Sequence, residues 1–133
     1  MPPMQGFDFV HHQRVRFNDV DAMGHVNNAV YLTYVEEARI AFLRPLGPTY
    51  ENLILARAEI DYRSPLRDGE EVEIGVRCTR LGTSSFDLEY ELRAGDRVVA
   101  EARSVQVAYD YEASAPVPMP DEWRERLETR VAA

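Results

Sequence analysis

The sequence has 133 residues, 45% hydrophobic and 29% charged, with a formal net charge of -8 from 23 acidic and 15 basic residues. That length buries a core without staples and sets the expectation of a single domain over 1–133. The acidic balance disfavours nucleic acid or an anionic membrane surface as partner. No run approaches the ~18 apolar residues of a membrane span, and the stretch Met1-Pro2-Pro3-Met4-Gln5-Gly6 has neither the basic nor the apolar region of a leader. With one cysteine, Cys78, and hence no internal disulfide, the expected setting is reducing and cytoplasmic.

Residues 7–17 place Phe7, Phe9, Val15 and Phe17 in one parity, the alternation of a strand. A polar stretch follows, FNDVDAMGHVNN (17–28), which gathers Asp19, Asp21, His25, Asn27 and Asn28. From Val30 the apolar positions recur at 30/31, 34/35, 38 and 41/42, a helical period, and Tyr31 and Tyr34 read as core aromatics of that stripe. Asn27 or Asn28 suits the N-cap, and Arg44-Pro45 with Gly47-Pro48 ends the helix.

Strands are predicted over 53–63, 70–81, 85–93 and 97–109, separated by Ser64-Pro65, Leu81-Gly82-Thr83-Ser84 and the short hairpin turn Ala94-Gly95-Asp96. Cys78 shares the apolar parity of Val72, Ile74 and Val76 and reads as a small core hydrophobe. Residues 111–120 read as an extended proline-bearing tail and 121–131 as a short polar helix, leaving a core over about 7–110. One strand, one long helix and then a meander of strands is an α+β arrangement, with the sheet wrapped around the apolar helix.

No Gly-x-Ser-x-Gly elbow, phosphate loop, His-Glu-x-x-His or Cys-x-x-Cys occurs. Asp19, Asp21 and His25 make a weak metal signature, and no metal or other cofactor is predicted. His11 and His12 are neighbours on a strand and point to opposite faces without evident partners. The stronger combination joins a helix start to the carboxylates before it. Unpaired helix N–H groups suit a polarised carbonyl oxygen, and a carboxylate beside them serves as a nucleophile or as a base on water. Gly24 lets backbone approach a substrate or makes a turn. A helix cap without chemistry uses the same residue types.

Residues 19–39, DVDAMGHVNNAVYLTYVEEAR, closely resemble the D-x-D-x-x-G-H-V-N-N-x-x-Y-x-x-x-x-E-x-x-R signature of hotdog-fold acyl-CoA thioesterases, the relatives of 4-hydroxybenzoyl-CoA thioesterase. Residues 60–74, IDYRSPLRDGEEVEI, resemble the strand-turn-strand of that family, and the likeness covers roughly 10–110. The resemblance implies a long central helix wrapped by an antiparallel sheet of roughly five to six strands. It also implies a dimer or a tetramer of dimers with the active site at the subunit interface, and a thioester of CoA or of an acyl carrier as substrate.

Carried over by position, Asp21 is the catalytic carboxylate, attacking the thioester carbonyl or activating water. Asp19 holds the loop. The backbone N–H near Asn28 polarises the thioester oxygen, and His25 matches a histidine of the acyl-carrier thioesterases, as a catalytic partner of Asp21 or as a residue that orients the loop. Some relatives have an aromatic where this chain has Asn28, and others an asparagine where it has Met23. Gly24, Val26, Asn27 and Tyr31 would border the substrate, Glu59 would face the site from a strand end, and Arg63 would meet CoA phosphates at the rim with Arg57 or Arg67. Two other readings stay open: a non-catalytic acyl-CoA-binding hotdog protein, and a hotdog hydratase or dehydratase. The latter is disfavoured because Asp21 and His25 are four apart with no Asn-Pro.

Overall fold

A computed structural model describes residues 4–49 and 51–129. Strand β1 (Phe9–Arg14) and helix α1 (Asn28–Leu43) come first, then strands β2 (Leu53–Tyr62), β3 (Glu71–Leu81), β4 (Ser85–Ala94) and β5 (Arg97–Asp110). A two-residue strand β6 (Ala115–Pro116) and helix α2 (Asp121–Glu128) complete the described chain. The strands form one antiparallel sheet in the order β1-β3-β4-β5-β2, with β6 pairing β5.

Period-2 alternation decides which face is covered. Ile74, Val76 and Cys78 of β3 lie opposite Leu92, Tyr90 and Leu88 of β4 on the inner face, with Val72 on the same parity, and all are buried. Helix α1 lays Tyr31, Tyr34, Val35, Ala38 and Phe42 on this face and packs mainly against β1 and β3. This is the α+β hotdog arrangement that the resemblance implies. Cys78 sits in the core, where burial pushes its thiol up to about 11, so it stays a protonated, apolar filler. Among the described residues, no helix is long and apolar enough to cross a membrane.

Two expectations need correction. The first strand ends at Arg14 rather than residue 17, because the Arg16 amide donates to Asp19 Oδ2 and closes a 3-10 turn over Phe17–Asp19. That turn removes Phe17 from the strand parity and leaves it 80% exposed, while Val15 stays buried. The helix predicted over 121–131 spans Asp121–Glu128, and residues 130–133 lie outside the described part. Although mostly polar, α2 buries Trp123 and Leu127, which join Met119 in the main core cluster.

The unevenness of the sheet matters most for the site. On β5 the inner face carries Ala100, Ala102, Ser104, Gln106 and Ala108, far smaller than the Phe86, Leu88, Tyr90 and Leu92 row of β4 beside it. Strand β2 is the sheet edge beyond β5, and its inner parity (Leu53, Leu55, Ala58, Ile60, Tyr62) is held through a bulge between Leu55 and Arg57. Beside this open edge a groove of about 510 Å³ lies between the second half of α1 and the first half of β2, with Gln106 of β5 at its floor.

Candidate active site

The polar stretch forms a closed loop between β1 and α1. Its two sides are joined by a bridge between Val20 and Val26, the Asp21 N–H donates to His25 O at 2.9 Å, and the Gly24 N–H donates to Asp21 O at 3.0 Å. Gly24 makes the turn with φ +81, and a Cβ added there would meet nothing within 4 Å, so the backbone angle alone calls for glycine. The loop is anchored from both sides: Val26 N–H donates to Leu66 O at 2.8 Å and Asn27 N–H to Asp19 O at 3.0 Å.

The two aspartates occupy different environments. Asp19 is buried, and its Oδ2 accepts from the Tyr34 hydroxyl at 2.6 Å, the Arg16 amide at 3.0 Å and Arg16 Nε at 3.4 Å. Burial works to raise its carboxyl, but those hydrogen bonds and the Arg16 charge outweigh it and hold the group below the usual carboxylate range. For Tyr34, burial and then the adjacent Asp19 push the phenol well above its ordinary value. Asp21, in contrast, is exposed. Its Oδ1 accepts from the Met23 amide at 2.9 Å, and its other oxygen has no hydrogen-bond partner among the described residues.

Beside the loop, α1 begins in the expected way. Asn27 is the N-cap, its Oδ1 accepting from the Ala29 amide at 2.9 Å, and Val30 N–H bonds Asn27 O at 2.9 Å. The Asn28 N–H, the first of the helix, finds no acceptor among the described residues. An unshared carboxylate oxygen and a free helix-start donor thus lie on one short loop.

Not every residue named from the sequence comes to this place in the same way. Gly24, His25, Asn27 and Asn28 do. His25 closes the loop through its carbonyl, and its imidazole has no hydrogen-bond partner among the described residues. Val26 is buried in the core cluster, so it anchors the loop instead of lining an open surface. Tyr31 is buried too, its hydroxyl donating to Ser64 O at 3.3 Å and its ring meeting Tyr62 edge-on at 5.1 Å.

Glu59 and Arg63 are not at the loop. With Tyr62 turned inward, strand alternation sends Glu59, Asp61 and Arg63 to the outer face. There Glu59 pairs with Arg57, and Arg63 lies 3.6 Å from Glu101. Tyr62 is a residue that the motif alone does not place. It is 43% exposed and its hydroxyl donates to Asn28 O at 2.9 Å, so it stands beside the helix start. Its position in the segment resembling the family's strand-turn-strand was the available signal. Among the described residues, no three His, Cys, Asp or Glu side chains converge as a metal-binding group.

With this geometry in hand, the comparisons with known proteins converge. The family model described as thioesterase-like superfamily matches residues 15–127. The solved structure of a thioesterase from Thermus thermophilus, complexed with coenzyme A and Zn, superposes with a TM-score of 0.88 at 38% identity, covering 95% of this chain and 96% of that one. A thioesterase superfamily structure from Jannaschia sp. CCS1 gives a TM-score of 0.85 at 32% identity, covering 98% and 89%. The 1,4-dihydroxy-2-naphthoyl-CoA hydrolase of Synechococcus elongatus is 28% identical over 130 residues, covering 91% of this chain and 96% of that protein. The chain belongs to the thioesterase-like superfamily, and thioester hydrolysis is the chemistry that its relatives name.

Proposed function

We propose that this protein hydrolyses an acyl-CoA, or an acyl-carrier thioester, to the free acid and the thiol, with Asp21 as the reacting carboxylate. The observation that carries the reading is the pairing of an exposed, unshared Asp21 oxygen with the free Asn28 N–H on one anchored loop. Asp21 takes a proton from water as it attacks the thioester carbon, or attacks that carbon itself and is released by water. In either route the carbonyl oxygen gains charge facing the Asn28 N–H and the positive end of α1. The tetrahedral species then expels the thiolate, which leaves as the thiol after protonation. His25 steadies the loop through its carbonyl, and Asp19 ties the loop to α1. For CoA phosphates, Arg67 is the best placed of the three rim arginines, since it follows Leu66, the loop's anchor, whereas Arg57 and Arg63 face carboxylates on the outer face.

The working unit in this reading is a homodimer built on β2. A ten-residue edge strand with Leu55 48% exposed is an open template for a second strand. Apart from Tyr111, just after β5, the other large exposed hydrophobics Phe17, Met23, Leu32 and Tyr62 fall on the loop segment, the first turns of α1 and β2. A two-fold axis on β2 covers them with their own counterparts. The lone buried Cys78 fits the cytoplasmic setting.

Thiol release from a panel of acyl-CoAs, alongside the same acyl groups on a carrier protein, tests the reading. Turnover of CoA or carrier thioesters is the expected result. A folded protein that releases thiol from neither would overturn it.

A further inference from the structure

The groove between α1 and β2 has a floor whose hydrogen bonds all run one way. The Gln106 side chain donates through Nε2 to Phe86 O at 3.0 Å, so its Oε1 is left as an acceptor. Ser104 donates its hydroxyl hydrogen to that Oε1. With that hydrogen spent, the 2.6 Å contact between Tyr90 and Ser104 must be a donation from the phenol. Tyr90 in turn accepts from Arg39 Nη1 at 3.5 Å. The chain therefore reads Arg39 to Tyr90 to Ser104 to Gln106 to Phe86 O, with the last three side chains buried and Arg39 at its head.

Arg39 is the feature that packing does not explain. It lines the groove beside Ile40, Leu43, Leu53 and Leu55, is half-buried, and has no carboxylate within 4.0 Å among the described residues. The rim holds Glu36, Glu51 and Arg44, all exposed, whose one net negative charge is screened by water. The floor is different. The hydrogens it has to spare are the remaining guanidinium N–H groups of Arg39 and the second amide hydrogen of Gln106. Spare donors beside the apolar Ile40, Leu43, Leu53 and Leu55 are matched by an oxygen acceptor, and a carboxylate meets a guanidinium best.

The groove also lies where an acyl group would arrive. The Tyr62 end of β2 is fastened to the start of α1 by the bond to Asn28 O, and the Leu53 end borders the groove. Antiparallel pairing of β2 with β2 of a second copy sets the helix start of one copy against the groove of the other. From this we infer that the groove floor is the acyl-recognition site of the partner's reaction centre. Arg39 there selects acyl groups that carry a carboxylate or similar oxygen acceptor at the end distal to the thioester. The inference rests on the thioesterase reading above.

Matched thioester pairs test it: ω-carboxyacyl-CoAs of several lengths against the alkanoyl-CoAs of equal chain length, assayed by thiol release with wild type, Arg39→Met and Arg39→Lys. The wild type is expected to favour the carboxyl-ended member of at least one pair. In Arg39→Met the ratio of the two kcat/KM values should fall by about 10- to 100-fold, with Arg39→Lys in between. Wild-type hydrolysis that shows no preference within any pair overturns the inference and leaves thioester hydrolysis standing, as does a preference that survives in folded Arg39→Met. Absence of turnover with every thioester removes the underlying reading and the inference with it. Should Arg39→Met not fold, the wild-type pairs and Arg39→Lys still decide.

Discussion

The hydroxyl of Tyr34, on the second turn of α1, donates to the buried carboxylate of Asp19 at 2.6 Å and so pins the start of the loop to the helix that follows it. Tyr34→Phe removes the donor and leaves Asp19 buried with less compensation. Loss of about 1–3 kcal/mol in urea denaturation is expected, together with slower turnover because the loop loosens. A variant as stable and as active as wild type would show that this bond does not position the loop.

The same carboxylate predicts a pH dependence of stability. Its folded pKa is depressed, so its contribution is fully present above the ordinary value of 3.8 and is lost as pH falls through the lower folded value. Thermal melts from neutral pH downward should show this part of the stability unchanged to about pH 4 and fading below it. Asp19→Asn lowers stability at neutral pH and removes that portion of the acid slope. An acid slope identical in the two proteins would contradict the assignment.

Gly24 tests backbone against space. Its φ is +81, yet an added Cβ has open room, so Gly24→Ala should cost about 1–2 kcal/mol through conformation alone. Gly24→Asn should cost less, because asparagine tolerates the left-handed region. Equal losses for the two, measured by denaturation, would point to a steric cause.

The edge strand makes a prediction about assembly. Leu55→Asp puts a charge on the exposed inner face of β2 and should shift the protein from dimer toward monomer in light scattering, with turnover falling in parallel. A monomeric wild type, or a Leu55→Asp dimer of unchanged affinity, would remove β2 as the seam.

Much of the fold was legible because its periods are clean. The alternation in β3 and β4 and the helical stripe from Tyr31 to Phe42 each bury the face they predict. The loop was legible as a motif, since Asn27 caps the helix through chemistry that asparagine brings to that position. What escaped was set by long-range geometry. Phe17 left its strand because the Asp19 side chain, two residues further on, recruits the Arg16 amide, a competition that parity does not register. That Glu59 and Arg63 stand away from the loop was hidden too, because the face of each β2 residue depends on a bulge after Leu55 and on Tyr62 turning inward to reach Asn28. The groove was invisible as well, for it forms only where the second half of α1 lies beside the open edge strand β2.

The central claim is the role of Asp21, and its most direct test is thiol release by Asp21→Asn on the best acyl-CoA of the panel. The exchange is nearly isosteric, and the exposed side chain makes a single bond to Met23 N–H that the amide oxygen can keep. The account predicts a folded protein with kcat reduced by about 100-fold or more. Retention of wild-type kcat by folded Asp21→Asn would contradict it.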